Sequence, residues 1–160
     1  MTQSFIYDTL NLHTNHASGG TKWLTKKIKS CAFHHVALKV SDFDKSIKFY
    51  TEGLGFEVFR SWSNAQGVRI ALIDMGSGEY FEVFADGEKT EHTDPKAGEF
   101  FHLALRADDP KAAFERALEY GATPHIEPKE MALPSNPPLP VALAFVKGPD
   151  GEQIEFFHTF

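Results

Sequence analysis

Polar and apolar residues alternate along Phe33-His34-His35-Val36-Ala37-Leu38-Lys39-Val40, which predicts a strand. Alternation places His34, Val36, Leu38 and Val40 on a core-like face, and His35, Ala37 and Lys39 on the other. A histidine, a small residue and a lysine do not make a core, so that second face needs a metal, an anion or water. Ser41-Asp42-Phe43-Asp44 then resembles a capping box with Asp in place of Glu. Phe43, Ile47 and Tyr50 follow at helical spacing, and Gly53 is placed to end the helix.

The same pattern returns further on. Phe101 to Ala107 alternates as a strand, Asp109 is a good N-cap and Pro110 a good first helical residue. Phe114, Ala117 and Leu118 form the apolar stripe, and Gly121 stops it. His35 aligns with His102, Ala37 with Ala104 and Lys39 with Arg106, at a constant offset of 67 residues. Strands are predicted after each helix. They cover Phe56–Phe59, Val68–Asp74 and Tyr80–Phe84 in the first half, and about Pro124–Ile126, Val141–Val146 and Gln153–Phe157 in the second. Gly76 and Gly78 mark a turn in the first half, as Gly148-Pro149-Asp150-Gly151 does in the second. The expected fold is α+β. Two tandem βαβββ modules, at about 33–86 and 100–158, form a curved, cleft-containing mixed sheet with helices outside.

The last strand of each module carries a carboxylate among large apolar residues: Glu82 in Tyr80–Phe84 and Glu155 in Gln153–Phe157. A buried unpaired charge costs several kcal/mol, so each acid calls for a partner. Two imidazoles and two carboxylates, His35, Glu82, His102 and Glu155, make a four-ligand set for a divalent metal, with positions left for water or substrate. Taken singly, each histidine would be an ordinary strand residue and each glutamate a rim charge. Four such residues at matching repeat positions favour the metal. Pseudo-symmetric packing of the modules would let their histidine-bearing faces meet in one cavity.

Composition narrows the rest. A chain of 160 residues with 42% hydrophobic content and 15 Phe suffices for one domain. No apolar run is long enough for a membrane span, and no signal-peptide pattern opens the chain, so a cytoplasmic location is expected. The single cysteine, Cys31, rules out an internal disulfide and reads as an unremarkable thiol. A net charge of −6 argues against nucleic acid. Residues 1–30 differ from the rest. They carry His13 and His16, the linker-like Ser18-Gly19-Gly20 and a short basic stretch from Thr21 to Lys29, and no function is assigned to them. The folded domain is expected over 31–160. His34 is sent away from the metal face by parity, and His92, His125 and His158 read as solvated. Glu130 to Pro140, with four prolines, reads as a stiff lid or a passive surface loop. Trp62 and most of the phenylalanines are expected to fill the space between sheet and helices.

These residues also carry a resemblance. His35-Val-Ala-Leu-Lys-Val with Asp42, Ser46, Phe49-Tyr50 and Leu54-Gly55-Phe56 resembles the vicinal oxygen chelate superfamily. So do Phe101-His102-Leu-Ala-Leu and Gly148-Pro-Asp-Gly-Glu-Gln-Ile-Glu155-Phe. The superfamily includes glyoxalase I, extradiol dioxygenases, methylmalonyl-CoA epimerase and drug-resistance binding proteins. Its glyoxalase I pattern of His, Glu, His, Glu falls on His35, Glu82, His102 and Glu155. The resemblance implies a homodimer with sites between modules and a small-molecule substrate. It also implies a metal-dependent lyase or isomerase acting on a 2-hydroxycarbonyl unit. Ni, Co, Zn, Mn or Fe would each suit the ligands. Glu155 is the first candidate for the base that shuttles the proton and Glu82 the second. Lys39 and Arg106 are candidate substrate-binding cations. The chain departs from the bacterial glyoxalase I pattern at Lys39, usually Arg, and Asp86, usually Asn. The other readings are a methylmalonyl-CoA-epimerase-like isomerase, an extradiol dioxygenase, for which Glu82 is superfluous, and a non-catalytic drug-binding resistance protein.

Overall fold

A computed structural model of the chain describes residues 33–76, 78–89 and 95–160. His13, His16, the stretch 18–29, Cys31 and His92 lie outside the described residues. Residues 33–160 form one compact unit.

The first module runs β1 (His35–Lys39), α1 (Phe43–Lys48), a π-helical turn (Phe49–Gly53), β2 (Glu57–Ser63), β3 (Arg69–Asp74) and β4 (Tyr80–Phe84). The second runs β5 (Leu103–Arg106), α2 (Pro110–Glu119), β6 (Thr123–Leu133), β7 (Leu139–Lys147) and β8 (Gln153–Thr159). The repeat is therefore real in three dimensions. Each module makes a four-stranded mixed sheet, ordered β1-β4-β3-β2 and β5-β8-β7-β6. In both, the first strand is parallel to the last and the other pairs are antiparallel.

One buried cluster joins the two modules. Phe43, Phe49, Tyr50, Ile73, Phe81 and Val83 of the first pack with Phe114, Ala117, Val146, Ile154 and Phe156 of the second. The helices close on each other at Gly53, where a Cβ would lie 2.9 Å from Cβ of Tyr120. Gly53 is thus needed for close approach as much as for ending a helix.

Local details depart from the sequence expectation for physical reasons. The N-cap of α1 is Asp42, whose carboxylate accepts from the Lys45 amide, rather than Ser41. Ser41 is turned instead to Asp150 of the second module, and Asp44 to Arg69. The segment 130–140 is mostly strand. β6 and β7 continue as an extended hairpin to the Leu133–Leu139 pair, leaving only 134–138 as its turn, with a cis Asn136–Pro137 bond. Antiparallel pairing absorbs the prolines at the hairpin tip and in the terminal part of the strand, where fewer ladder bonds are lost. Trp62 and Phe59 are not buried between sheet and helices, being 42% and 43% exposed. A bulge between Val58 and Arg60 throws Phe59 onto Tyr80, with ring centroids 5.2 Å apart. Among the described residues no helix is long and apolar enough to cross a membrane.

Candidate functional site

The parallel pairing of first and last strands brings each module's histidine to its glutamate. Ala37 faces Glu82 across β1 and β4, and Ala104 faces Glu155 across β5 and β8, in identical register. A small residue at that point leaves room over the sheet for the carboxylate to reach the histidine. His35 Nε2 lies 3.5 Å from Glu82 Oε2, and His102 Nε2 lies 3.3 Å from Glu155 Oε2. The structure therefore builds two copies of one His–Glu pair. It does not gather all four within a single chain, for among the described residues no group of three or more His, Cys, Asp or Glu comes together.

The two pairs sit in different surroundings. The first is open, with the His35 side chain 41% exposed. His34 precedes β1 and so escapes the strand's alternation. Its Nδ1 lies 2.8 Å from Nδ1 of His35, and its ring rests 5.2 Å from that of Tyr80. When His35 donates in that contact, its Nε2 keeps a lone pair directed at Glu82, the tautomer a metal ligand requires. The expectation that His34 faces away is corrected here. Parity counts only within the strand.

The second pair is more enclosed. Glu155 is 8% exposed. Burial raises its carboxyl above the usual carboxylate range, with His102 pulling the other way. His102 is wedged between aromatic edges, 4.4 Å from the Phe101 ring and 5.5 Å from that of Phe145. Its Nδ1 is buried with no hydrogen-bond partner among the described residues. This imidazole is not a satisfied core histidine. His102 Nε2 and Glu155 Oε2, 3.3 Å apart, set an imidazole donor beside a carboxylate donor. These residues fit a divalent metal, for which oxygen and imidazole donors are the ordinary ligands.

The candidate substrate cations diverge. Lys39 Nζ is held 2.8 Å from Asp86 Oδ2, so its charge is compensated. Arg106 has no ion pair among the described residues. His125 approaches the second sheet's open face through Phe145, with ring centroids 6.3 Å apart. His158 packs on Phe160 instead.

A network that sequence reasoning missed ties the modules together beneath these faces. The Asp150 carboxylate accepts from the Ser41 amide and hydroxyl and from the Ser46 hydroxyl. Tyr50, wholly buried, donates its hydroxyl to Glu152. Burial raises the Glu152 carboxyl, with the Tyr50 hydrogen bond opposing. Burial, then the Glu152 charge, pushes the Tyr50 hydroxyl well up. Both acids lie in the turn before β8, so this network sets where Glu155 emerges. The only sequence signal was the Gly-Pro-Asp-Gly-Glu turn, which marks a turn without revealing its partners.

Comparison with known proteins identifies the family and the fold. Residues 32–156 match the Glyoxalase/Bleomycin resistance protein/Dioxygenase superfamily. A probable lactoylglutathione lyase of Vibrio parahaemolyticus is 33% identical over 78% of this chain and 88% of its own length. The uncharacterized protein YwbC of Bacillus subtilis is 31% identical over 77% of this chain and 94% of its own. The structure of a trypanothione-dependent glyoxalase I from Leishmania major superposes with a TM-score of 0.61 at 26% identity, covering 81% of this chain and 87% of that one.

Proposed function

The chain belongs to the Glyoxalase/Bleomycin resistance protein/Dioxygenase superfamily, and from that premise we propose that it is a divalent-metal-dependent lyase or isomerase of glyoxalase I type, working as a homodimer. In each site His35 and Glu82 of one protomer face the partner subunit's His102 and the partner subunit's Glu155. The observation that carries this reading is the pair of His–Glu couples at identical register, each setting an imidazole beside a carboxylate. Large apolar side chains on the same open faces support the dimer. Phe59 and Trp62 on the first sheet and Met131 and Leu139 on the second are each 39–43% exposed. Two such faces bury apolar area when they close on one another.

His35 and His102 offer Nε2 lone pairs, and Glu82 and Glu155 offer charge that neutralises a divalent ion. When bound, that ion supplies Lewis acidity toward the oxygens of a 2-hydroxycarbonyl unit, making the adjacent C–H removable. Glu155 takes the proton from the carbon bearing sulfur in a hemithioacetal and returns it to the neighbouring carbon. The hydroxyl proton on the sulfur-bearing carbon passes in the same direction, to the neighbouring carbonyl oxygen, and the product is a 2-hydroxyacyl thioester with no change in overall redox state. Burial raises the Glu155 carboxyl, the direction that suits a group taking and returning a proton. Phe145 stands opposite Glu155 across β7 and β8, with its ring against His102. Glu82, in the more open pair, is the alternative base.

The test is to strip the protein with chelator and assay methylglyoxal with several thiols while restoring Ni²⁺, Co²⁺, Zn²⁺ or Mn²⁺ singly. Thioester formation that disappears with the metal and returns with it is expected. Inactivity with every metal and thiol would refute the reading.

A further inference from the structure

One position of the repeat has diverged in a way that bears on the histidines: the residue before each of them. His34 precedes His35, and at the constant offset of 67 residues its counterpart before His102 is Phe101. The strands around both share one register, and each histidine turns Nε2 toward its module's glutamate. Only the neighbour of the other ring nitrogen differs. In the first module Nδ1 of His34 lies 2.8 Å from Nδ1 of His35. In the second, the Phe101 ring stands edge-on to His102 at 4.4 Å, and His102 Nδ1 is buried with no hydrogen-bond partner among the described residues.

A neutral imidazole has one proton for two nitrogens, so the contact at Nδ1 decides what Nε2 can do. Beside a carboxylate alone, the proton belongs on Nε2, where it is donated to the acid. An acceptor at Nδ1 competes for it. β4 holds His34 in place as that acceptor. The His34 carbonyl accepts from the Tyr80 amide at 2.8 Å, and its ring rests 5.2 Å from the Tyr80 ring. His35 Nε2 is 3.5 Å from Glu82, beyond the usual N–H···O range, so the Nδ1 contact is the better hydrogen bond of the two. His102 has the reverse arrangement. A proton on its Nδ1 would be a buried donor without an acceptor, whereas on Nε2 it faces Glu155 at 3.3 Å.

We propose that His34 is a positioning residue: it holds His35 with its proton on Nδ1 and leaves the Nε2 lone pair free for a cation. His102, with Phe101 in the corresponding place, carries its proton on Nε2 in the metal-free chain. The two histidines are equivalent in position and unequal in chemistry. The bearing of the His35 tautomer on a metal rests on the lyase reading above; the tautomers themselves do not.

The experiment reads the tautomers by long-range proton–nitrogen NMR of the chelator-treated, full-length protein at about pH 8, where ordinary imidazoles are neutral. His35→Gln and His102→Gln identify the two rings by the signals they remove. Wild type is expected to show His35 protonated at Nδ1 and His102 at Nε2. His34→Phe, which copies the second module, should move the His35 proton to Nε2. His34→Asn, whose side-chain oxygen still accepts, should leave it on Nδ1. Zn²⁺ affinity, measured by competition with a chromophoric chelator, should fall by about tenfold or more in His34→Phe and stay within about threefold of wild type in His34→Asn. Circular dichroism of His34→Phe checks that its fold is intact. A wild-type His35 protonated at Nε2, a His35 tautomer unmoved by His34→Phe, or full wild-type Zn²⁺ affinity in His34→Phe would each overturn the proposal. The two readings fail separately. The expected tautomers in a wild type that binds no Zn²⁺ sink the metal-dependent lyase and keep the tautomer assignment. Metal-dependent turnover in a protein whose His35 is protonated at Nε2 before loading keeps the lyase and sinks the role of His34.

Discussion

Replacing Tyr50 by phenylalanine deletes one oxygen from a wholly buried ring and tests what holds the two modules in register. The ring's packing against Phe49 and Phe81, at centroid separations of 5.1 and 4.5 Å, has no reason to change, so no cavity term enters. What is lost is the hydrogen bond from the Tyr50 hydroxyl to Glu152. Glu152 keeps the Asp150 amide, 3.0 Å from its other oxygen. A hydrogen bond to an ionised partner contributes about 1.5–3 kcal/mol, and that is the expected cost of Tyr50→Phe near neutral pH. The pH dependence follows from the direction of the Glu152 shift. Burial raises its folded-state pKa, so folding takes up a proton there. The resulting stability is present below the unfolded value and is lost as pH rises through the raised one. The Tyr50 bond opposes that shift and matters most when Glu152 is ionised. Tyr50→Phe should therefore be more damaging at about pH 8 than at an acid pH below the raised value, where a neutral carboxyl makes the bond worth only about 0.5–1.5 kcal/mol. Urea unfolding at both pH values gives the numbers, and a double-mutant cycle with Glu152→Gln gives a coupling of at least about 1 kcal/mol. A Tyr50→Phe protein within about 0.5 kcal/mol of wild type at both pH values, with no coupling, would show that this contact does not hold the modules together.

Two further predictions address the site and its frame. Glu155→Gln should lower kcat by about 10²- to 10⁴-fold with an unchanged circular dichroism spectrum, and wild-type turnover in that variant would remove Glu155 from the base role. Gly87→Ala places a Cβ about 2.8 Å from the Lys39 carbonyl carbon and the Val40 nitrogen, which must shift. The expected loss is about 1–3 kcal/mol in chemical unfolding, and a neutral result would mean that the end of β1 yields freely.

The repeat and both His–Glu pairs were legible in the sequence because strand alternation and a fixed offset carry that information directly. Ala37 and Ala104, read only as small residues, prove to be the cross-strand partners of the two acids. What was not legible depended on contacts distant in the chain. Ser41 had the chemistry of an N-cap, and only Asp150, 109 residues away, explains why Asp42 caps instead. Nothing local distinguished a lid from an extended hairpin at 130–140, since the deciding factor is pairing between β6 and β7. Within one chain the four candidate ligands stay in two separate pairs among the described residues, and their convergence between two protomers is what the proposal adds.

That last point is the centre of the account, and mixing two inactive variants tests it. Glu82→Gln and Glu155→Gln homodimers each lose one ligand from both sites. In a dimer containing one of each, one site carries both substitutions and the other carries all four native ligands. Co-expressing or co-refolding the two in equal amounts should restore about a quarter of wild-type activity, because half the dimers are mixed and each has one intact site. Activity no greater than that of the two variants assayed separately would contradict a site shared between protomers.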